Sequence, residues 1–455
     1  MDENENYLSI FGILLIFVYL MVILLVFNFI AKNKYAEDEK LRSYFRWGLF
    51  AKLFAGICFA LIYDLYYGRG GDTFYYFWNA SRLGNVLFRD AGDFFKLFFG
   101  LVNKSNVYNL NPGIGYCAIR YLPDTAVFAT HRFLSVFTIL GLKNYYLTII
   151  CLNAVLFILN WKVFLFFKEL MPQRINMVAI GILFIPSVLF WSSGLTKDAF
   201  TFTFSTLFIT YFYRIFFKRR LGFFLIIKLL FCSYIIVELK PYILYALIVS
   251  GFVWLGFSYI HRVKSRVLRV FIFPILMFIF GFVGMLALTS TMSMVGGAYQ
   301  DVDSMLKKAS VAQQDLKQEY YKGVSFDIGD YKPTLQGSLS VAPSAIIAGL
   351  YRPFLWEAKS IVMVMSGFEN LILILLTIFA FFKAGPRFVI NQIFNEPFIG
   401  FCFMFSLLIA FGIGISTSNF GALVRFKIPL IPFFFMGWLI IYSNYKIEKR
   451  KHNCL

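Results

Sequence analysis

The stretch YLSIFGILLIFVYLMVILLVFNFIA, residues 7–31, decides the fold class. It is an apolar run without a charged residue, long enough to cross the roughly 30 Å hydrocarbon core of a bilayer as one α-helix. Similar runs recur along the chain, whose 455 residues are 60% hydrophobic and only 15% charged. Soluble domains are about 45–50% apolar and about 25% charged. The composition therefore excludes a soluble globule, a disordered chain, a disulfide scaffold and a coiled coil.

The continuous apolar runs, each about 20 residues long, predict an all-α fold, a polytopic integral membrane helix bundle of about eleven transmembrane helices that forms one domain over residues 1–455. The predicted spans are 7–31, 47–67, 144–167, 176–195, 199–217, 221–239, 241–260, 267–293, 360–382, 397–416 and 424–444. Two long loops separate some of them, 68–143 and 294–359. Aromatic residues recur at helical spacing in 73–100, which predicts interfacial amphipathic helices there. Residues 300–322 are polar and compatible with a helix.

The distribution of charge predicts the orientation of the chain. The net charge is +19, from 43 Lys and Arg against 24 Asp and Glu. An acidic MDENEN segment precedes the first span and basic residues follow it, which predicts an N-terminus outside and a C-terminus in the cytoplasm. Alternating the spans then places 21 basic residues in cytoplasmic segments and three in short outside loops, Lys197, Lys240 and Arg425. Both long loops lie outside in this topology, and the positive charge needs no nucleic-acid partner.

The sequence contains no recognisable motif for binding a metal ion or a nucleotide. The six cysteines lack paired metal-ligand spacing, and only Cys117 falls in a long polar loop. The three histidines, His131, His261 and His452, are scattered. There is no Walker A motif. We therefore expect no metal, no cofactor and no disulfide framework.

Charged residues concentrate at the outside ends of the predicted spans. A charge at membrane depth costs about 2.5–3.5 kcal/mol on insertion scales, so such residues tend to be functional. If they converge, they form an outward-facing polar cavity in which cations hold a lipid-linked phosphate while a carboxylate handles a sugar hydroxyl. The charges at these ends are Asp64, Arg69, Asp72, Lys197, Asp198, Glu238, Lys240, Arg352, Glu357, Arg425 and Lys427.

Four short motifs resemble those of the GT-C superfamily of polyprenyl-phosphate-dependent glycosyltransferases. Asp72-Thr73 with Tyr76 and Ala80 is similar to the acidic motif of the first large outside loop, whose acid is a proposed catalytic base. PSVLFWSSGLTKDAF (186–200) resembles the Pro, Gly and acidic segment between two mid-chain spans. RFKIPLIPF (425–433) is similar to the end shared with O-antigen polymerases, and LYRPFLWEA (350–358) resembles a motif of bacterial envelope proteins.

The resemblance implies a membrane glycosyltransferase or polysaccharide polymerase on the outer face of the bacterial inner membrane. It would use a polyprenyl-phosphate- or diphosphate-linked sugar donor and a glycan or lipid-linked acceptor in cell-envelope assembly. Asp72 is then the expected general base, with Asp198 and Glu357 as the next candidates. The expected substrate-binding residues are Arg69, Tyr76, Lys197, Lys240, Arg352 and Arg425.

Structural roles for the same residues stay open. They are an N-cap for Asp72, a local pair for Lys197 and Asp198, a snorkelling amine for Lys240, a headgroup anchor for Arg352 and a structural ion pair for Arg425. Two other functions also stay open, a transporter or flippase of lipid-linked sugars and a non-catalytic envelope assembly scaffold. A transporter would show internal repeats and charged or Gly- and Pro-broken segments at mid-membrane. Charges at one membrane face and the lack of repeats favour the enzyme.

Overall fold

The structure, a computed structural model, describes residues 7–102, 124–260, 266–295, 297–318 and 325–453. Within these ranges the chain is all-helical, with 83% of it in helices and no strands. One isolated antiparallel bridge joins Ser325 to Asn419. The sequence-based expectations for Cys117, His261 and Cys454 lie outside the described residues.

The helices are numbered here in chain order. The first ten are α1 (Ile10–Lys34), α2 (Glu39–Leu61), α3 (Asp72–Arg89), α4 (Ala91–Phe98), α5 (Thr125–Leu140), α6 (Tyr145–Leu170), α7 (Ile175–Ala179), α8 (Pro186–Trp191), α9 (Lys197–Phe216) and α10 (Phe223–Leu239). The others are α11 (Pro241–Ile260), α12 (Arg266–Val295), α13 (Val302–Leu316), α14 (Leu335–Ser340), α15 (Ala342–Tyr351), α16 (Ile361–Ala384), α17 (Pro386–Asn395), α18 (Pro397–Ser416), α19 (Phe420–Phe426) and α20 (Ile431–Asn453).

Six helices in the described ranges are long and apolar enough to cross a membrane. They are α1, α2 with a π-helical extension to Tyr66, α6, α11, α16 and α18. Helices α19 and α20 pass the same test as a pair that bends by 63°, which would make a seventh span. These helices are compatible with a helical membrane protein, but the predicted count of about eleven spans is not confirmed. Helix α10, for example, has only 17 residues.

The predicted fourth span, 176–195, is interrupted. Helix α7 continues into a π-helical turn over Ile180–Phe184, and Ile185 is then extended with φ −67° and ψ 120° before α8 begins at Pro186. A residue that precedes proline is disfavoured in the helical region, which explains the interruption at this position. The apolar pattern continues through the break and therefore concealed it.

Helices are present where the long loops were predicted to contain them. Helices α3 and α4 lie between Asp72 and Phe98, where 73–100 was predicted, and α13 falls within 300–322. Helix α3 packs mainly on α5, and at its N-terminal end the ring of Phe74 stacks on Tyr145 of α6 with centroids 4.0 Å apart. This packing fixes the height of the N-terminus of α3, which carries Asp72.

Candidate functional site

Four charged side chains from distant parts of the chain meet in one place. Arg425 donates from Nη1 to Asp72 Oδ2 at 3.2 Å, and from Nε and Nη2 to Asp198 Oδ2 at 3.3 and 3.2 Å. Lys240 Nζ donates to the other oxygen of Asp198, Oδ1, at 2.5 Å. We call Asp72, Asp198, Lys240 and Arg425 the ion-pair cluster. It joins four of the residues that the sequence predicted to be functional.

Each member of the ion-pair cluster lies at or near the end of a helix. Asp72 is the first residue of α3, and Asp198 is the second residue of α9. Lys240 separates α10 from α11, and Arg425 lies on the short helix α19 before the bend into α20. Helix ends are where a membrane bundle can bring charges together without placing them in the middle of an apolar span.

The turn into α3 depends on glycine. Gly71 has φ +84°, a conformation that residues with a Cβ rarely adopt. A Cβ at this position would also lie 3.0 Å from Cε1 of Tyr63. Gly71 occupies the N-cap position, and the helix receives no side-chain cap there. Asp72 therefore is not the N-cap, and its carboxylate is directed to Arg425.

Burial separates the two carboxylates of the cluster. The side chain of Asp198 is 1% exposed and both of its oxygens are engaged by cations. The side chain of Asp72 is 56% exposed, and Arg425 contacts one of its oxygens. Asp198 is thus suited to hold Lys240 and Arg425 in place, whereas Asp72 is the carboxylate that an incoming molecule can reach.

Lys240 is buried, not snorkelling. The residue is 6% exposed, and its Nζ lies 4.6 Å from the centroid of the Phe426 ring. Arg425 lies over the Trp191 ring at 5.5 Å. Aromatic faces stabilise cations in a desolvated environment. Tyr76 on α3 is also buried, with 5% of the residue exposed.

Lys197 adds a further cation beside the cluster. Within the described residues it makes no ion pair or hydrogen bond, so it is not the local partner of Asp198. The buried atoms His131 Nε2 and Thr196 Oγ1 have no hydrogen-bond partner in the part of the chain that the structure describes. Buried polar atoms are rarely left unsatisfied without a reason, and a polar ligand is one such reason.

Arg352 and Glu357 form a second pair next to the cluster. Arg352 Nη2 donates to Glu357 Oε1 at 2.5 Å, although Pro353 lies between the two residues in sequence. The guanidinium of Arg352 also lies 5.6 Å from the ring of Phe420, the first residue of α19. Glu357 Oε2 accepts from the backbone N–H of Phe354 at 2.8 Å. This pair is thus joined to the cluster through α19, not through a shared carboxylate.

The second long loop contacts the same region. Arg352 Nη1 donates to the backbone carbonyl of Asp327 at 3.4 Å. The Lys317 ammonium, 3.2 Å from Asp327 Oδ1, and the Gly329 N–H hold the pKa of the Asp327 carboxyl below its ordinary value. Phe326 N donates to the carbonyl of Ser418 just before α19. Residues 325–329 therefore brace the start of the helix that carries Arg425.

Arg69 has a local partner as well. Its Nε donates to Asp64 Oδ1 at 3.0 Å, and the Tyr146 hydroxyl donates to Asp64 Oδ2 at 2.8 Å. The guanidinium lies 5.1 Å from the centroid of the Tyr7 ring. These contacts anchor the segment between α2 and α3 on α6.

Sequence reasoning missed two ionisable residues that contact α8, the short helix before the turn to Lys197. Lys52 lies in α2 and Glu369 in α16, both inside predicted spans. A charged residue within an apolar span is itself a signal of function, and this signal was present in both cases.

The described ranges contain no group of three or more His, Cys, Asp or Glu side chains that could hold a metal ion. Compared with models of protein families, with curated proteins and with solved structures, the chain matches none. The functional argument therefore rests on the geometry of the ion-pair cluster.

Substitution Gly194→Ala is expected to destabilise the protein. Gly194 lies in the turn between α8 and α9, where a Cβ would come within 2.3 Å of Cζ of the buried Phe59. Overpacking of this kind costs about 1–3 kcal/mol. Thermal unfolding of the purified protein in detergent measures the effect. Gly412→Ala in α18 is the control, since nothing lies within 4 Å of its Cβ position. Equal stability of the two variants would contradict the expected clash.

Proposed function

We propose that the protein is a membrane glycosyltransferase or polysaccharide polymerase that uses a polyprenyl-phosphate- or diphosphate-linked sugar donor. One observation carries the proposal. Arg425 connects an exposed carboxylate, Asp72, to a buried one, Asp198, with Lys197 beside them. Lys197 precedes Asp198 at the start of α9 and adds a third cation to the two of the ion-pair cluster. This arrangement is suited to an anionic leaving group next to a reachable base.

The proposed reaction is a displacement at the anomeric carbon of the donor. A hydroxyl of the acceptor forms the new C–O bond while the bond to the carrier phosphate breaks and the phosphate takes the electron pair. Asp72 accepts the hydroxyl proton. Lys197 and Arg425 stabilise the charge that develops on the phosphate, which is the role of preorganised cations in a water-poor site.

Binding of the carrier tests the proposal directly. The purified protein in nanodiscs is mixed with undecaprenyl phosphate, undecaprenyl diphosphate or undecaprenol, and thermal unfolding is followed. The charged lipids are expected to stabilise the protein, by about 2.7 kcal/mol at a concentration 100 times Kd. Undecaprenol has the same chain without the phosphate and is the matched control. Equal stabilisation by all three lipids would overturn the phosphate site.

The interrupted segment supports a second candidate function, a transporter or flippase of lipid-linked sugars. Helix α8 follows a break at Ile185, and its two ends are contacted by Glu369 and Lys52. Discontinuous helices with ionisable groups are typical of transporter binding sites. Liposomes that contain the protein and a fluorescent lipid-linked sugar distinguish the two functions. The transporter predicts movement of the sugar between leaflets without any new glycosidic bond.

The proposed site requires that the ion-pair cluster faces outside, at the outer face of the bacterial inner membrane. We expect a cysteine at Gln314, exposed on α13, to react with a membrane-impermeant maleimide in intact cells. A cysteine at Lys449 near the C-terminus should react only after permeabilisation. Both are placed in a background without native cysteines. The reverse pattern of labelling would refute this orientation.

A further inference from the structure

Lys52 is a buried cation inside α2. The residue is 2% exposed, and its Nζ donates to the backbone carbonyl of Ser192 at 2.6 Å and to Ser192 Oγ at 2.7 Å. Within the described ranges Lys52 has no ion-pair partner. A lysine held at membrane depth by neutral acceptors is costly, and a role in function is the usual reason for retaining one.

The acceptors of Lys52 belong to the turn that leads into α9. We call residues 192–196 the connecting turn. Asn153 Nδ2 of α6 donates to the carbonyl of Ser193 at 2.8 Å, and Phe59 of α2 packs against Gly194. Three side chains from α2 and α6 thus hold three consecutive residues of the turn. The turn is followed immediately by Lys197 and Asp198.

Helix α8 is fixed from its other end too. Glu369 of α16 accepts from the backbone N–H of Ser187 at 3.0 Å and from Ser187 Oγ at 2.5 Å. The carboxylate therefore contacts the first turn of α8, while the Lys52 ammonium contacts the carbonyl just beyond its last turn. The two contacts set where α8 ends and hence where the connecting turn begins.

We propose that Lys52 is a positioning residue that places Lys197 and Asp198 in the candidate site. It acts through the connecting turn, which its ammonium ties to α2. Because Asp198 orients both Lys240 and Arg425, a displacement of the turn changes the whole ion-pair cluster. The effect on ligand binding rests on the proposed function, whereas the effect on the turn does not.

The small cavity beside Lys52 limits which side chains can take the place of this lysine. Its volume is about 10 Å³, and its lining includes Lys52, Asn160 and Ser192. This space is about that of one water molecule. The longer, branched side chain of arginine does not fit there, so Lys52→Arg is not expected to restore the wild-type arrangement. Lys52→Met keeps an unbranched side chain, one heavy atom shorter than lysine, and removes the donors.

Hydrogen–deuterium exchange tests the positioning. In Lys52→Met we expect faster exchange in a peptide that covers residues 192–199, with the other helices unchanged. Ser192→Ala removes one of the two acceptors and should give a smaller increase at the same residues. Lys162→Met is the control, because Lys162 is an exposed lysine on α6. Wild-type exchange at 192–199 in both Lys52→Met and Ser192→Ala would overturn the proposal.

Binding of inorganic pyrophosphate distinguishes this proposal from the proposed function. A displacement of about 1 Å at a preorganised site can cost up to about 100-fold, so we expect affinity in Lys52→Met to fall at least about tenfold. The apparent melting temperature should not fall in parallel, since methionine removes the cost of burying a charge. Absence of pyrophosphate binding by the wild-type protein would count against the proposed function, while exchange at 192–199 decides the role of Lys52.

Discussion

Replacing Arg425 by methionine is expected to lower the free energy of unfolding by about 3–5 kcal/mol, the range for removing one partner of a buried ion pair. The loss leaves Asp198 with Lys240 as its cation and removes the contact of Asp72. The side chain of Asp198 is 1% exposed, so water does not replace the missing donors. Thermal or denaturant unfolding in detergent measures the effect.

Three further variants make this expectation specific. Arg425→Lys keeps the charge but cannot donate to Asp72 and Asp198 together with the same geometry, so it should recover only part of the stability. Arg387→Met, at an exposed position of α17, should leave stability unchanged. In the double variant Arg425→Met with Asp198→Asn, the buried Lys240 loses its carboxylate as well, so this variant should be less stable than Arg425→Met alone. A double variant that is more stable than Arg425→Met would argue against the ion-pair explanation.

The sequence predicted the fold class because composition and helical periodicity depend on local residues. The apolar runs that form α1, α6 and α18 are each long and apolar enough to cross a bilayer. The number of spans was less accessible. Whether α8 continues α7 depends on the geometry at Ile185 and Pro186, which an average of hydropathy does not register. The bend between α19 and α20 was not predicted for the same reason.

The candidate site was only partly accessible from sequence. Their shared location at the outside ends of the predicted spans was enough to propose functional roles for Asp72, Asp198, Lys240 and Arg425. Their convergence could not be read from spacing, since Arg425 is separated from Asp72 by 353 positions. Arg69 and Arg352 were nominated by the same rule, but each pairs with a carboxylate five positions away. A carboxylate five positions from an arginine should therefore be considered as its ion-pair partner before a ligand is assigned to that arginine.

The contacts of the three candidate bases keep Asp72 in first place. Glu357 is engaged on both oxygens, by Arg352 and by the Phe354 N–H, and Asp198 is engaged on both by Lys240 and Arg425. Neither carboxylate can accept a proton from an incoming hydroxyl without giving up one of these contacts. Asp72 is the exposed carboxylate of the cluster and remains the first candidate.

Substitution Asp72→Asn is expected to reduce glycan formation by about 10²–10⁴-fold, the contribution of a general base. Asparagine keeps the size of the side chain and cannot accept the proton. Stability should change by less than about 1 kcal/mol, because the Asp72 side chain is 56% exposed and exposed pairs contribute little. Cells that lack the native copy are complemented with the variant, and the glycan is followed by gel and mass spectrometry.

Carrier binding separates catalysis from recognition in this variant. Arg425 keeps its contacts with Asp198 when Asp72 is neutral, so binding of undecaprenyl diphosphate should persist while product is lost. Asp330→Asn, at an exposed position of the second long loop, is the matched control and should leave product unchanged. Normal product from Asp72→Asn would eliminate Asp72 as the base. A defect confined to Asp198→Asn would instead assign the proton to the buried carboxylate, which would then have to exchange its contact with Lys240 for the substrate hydroxyl.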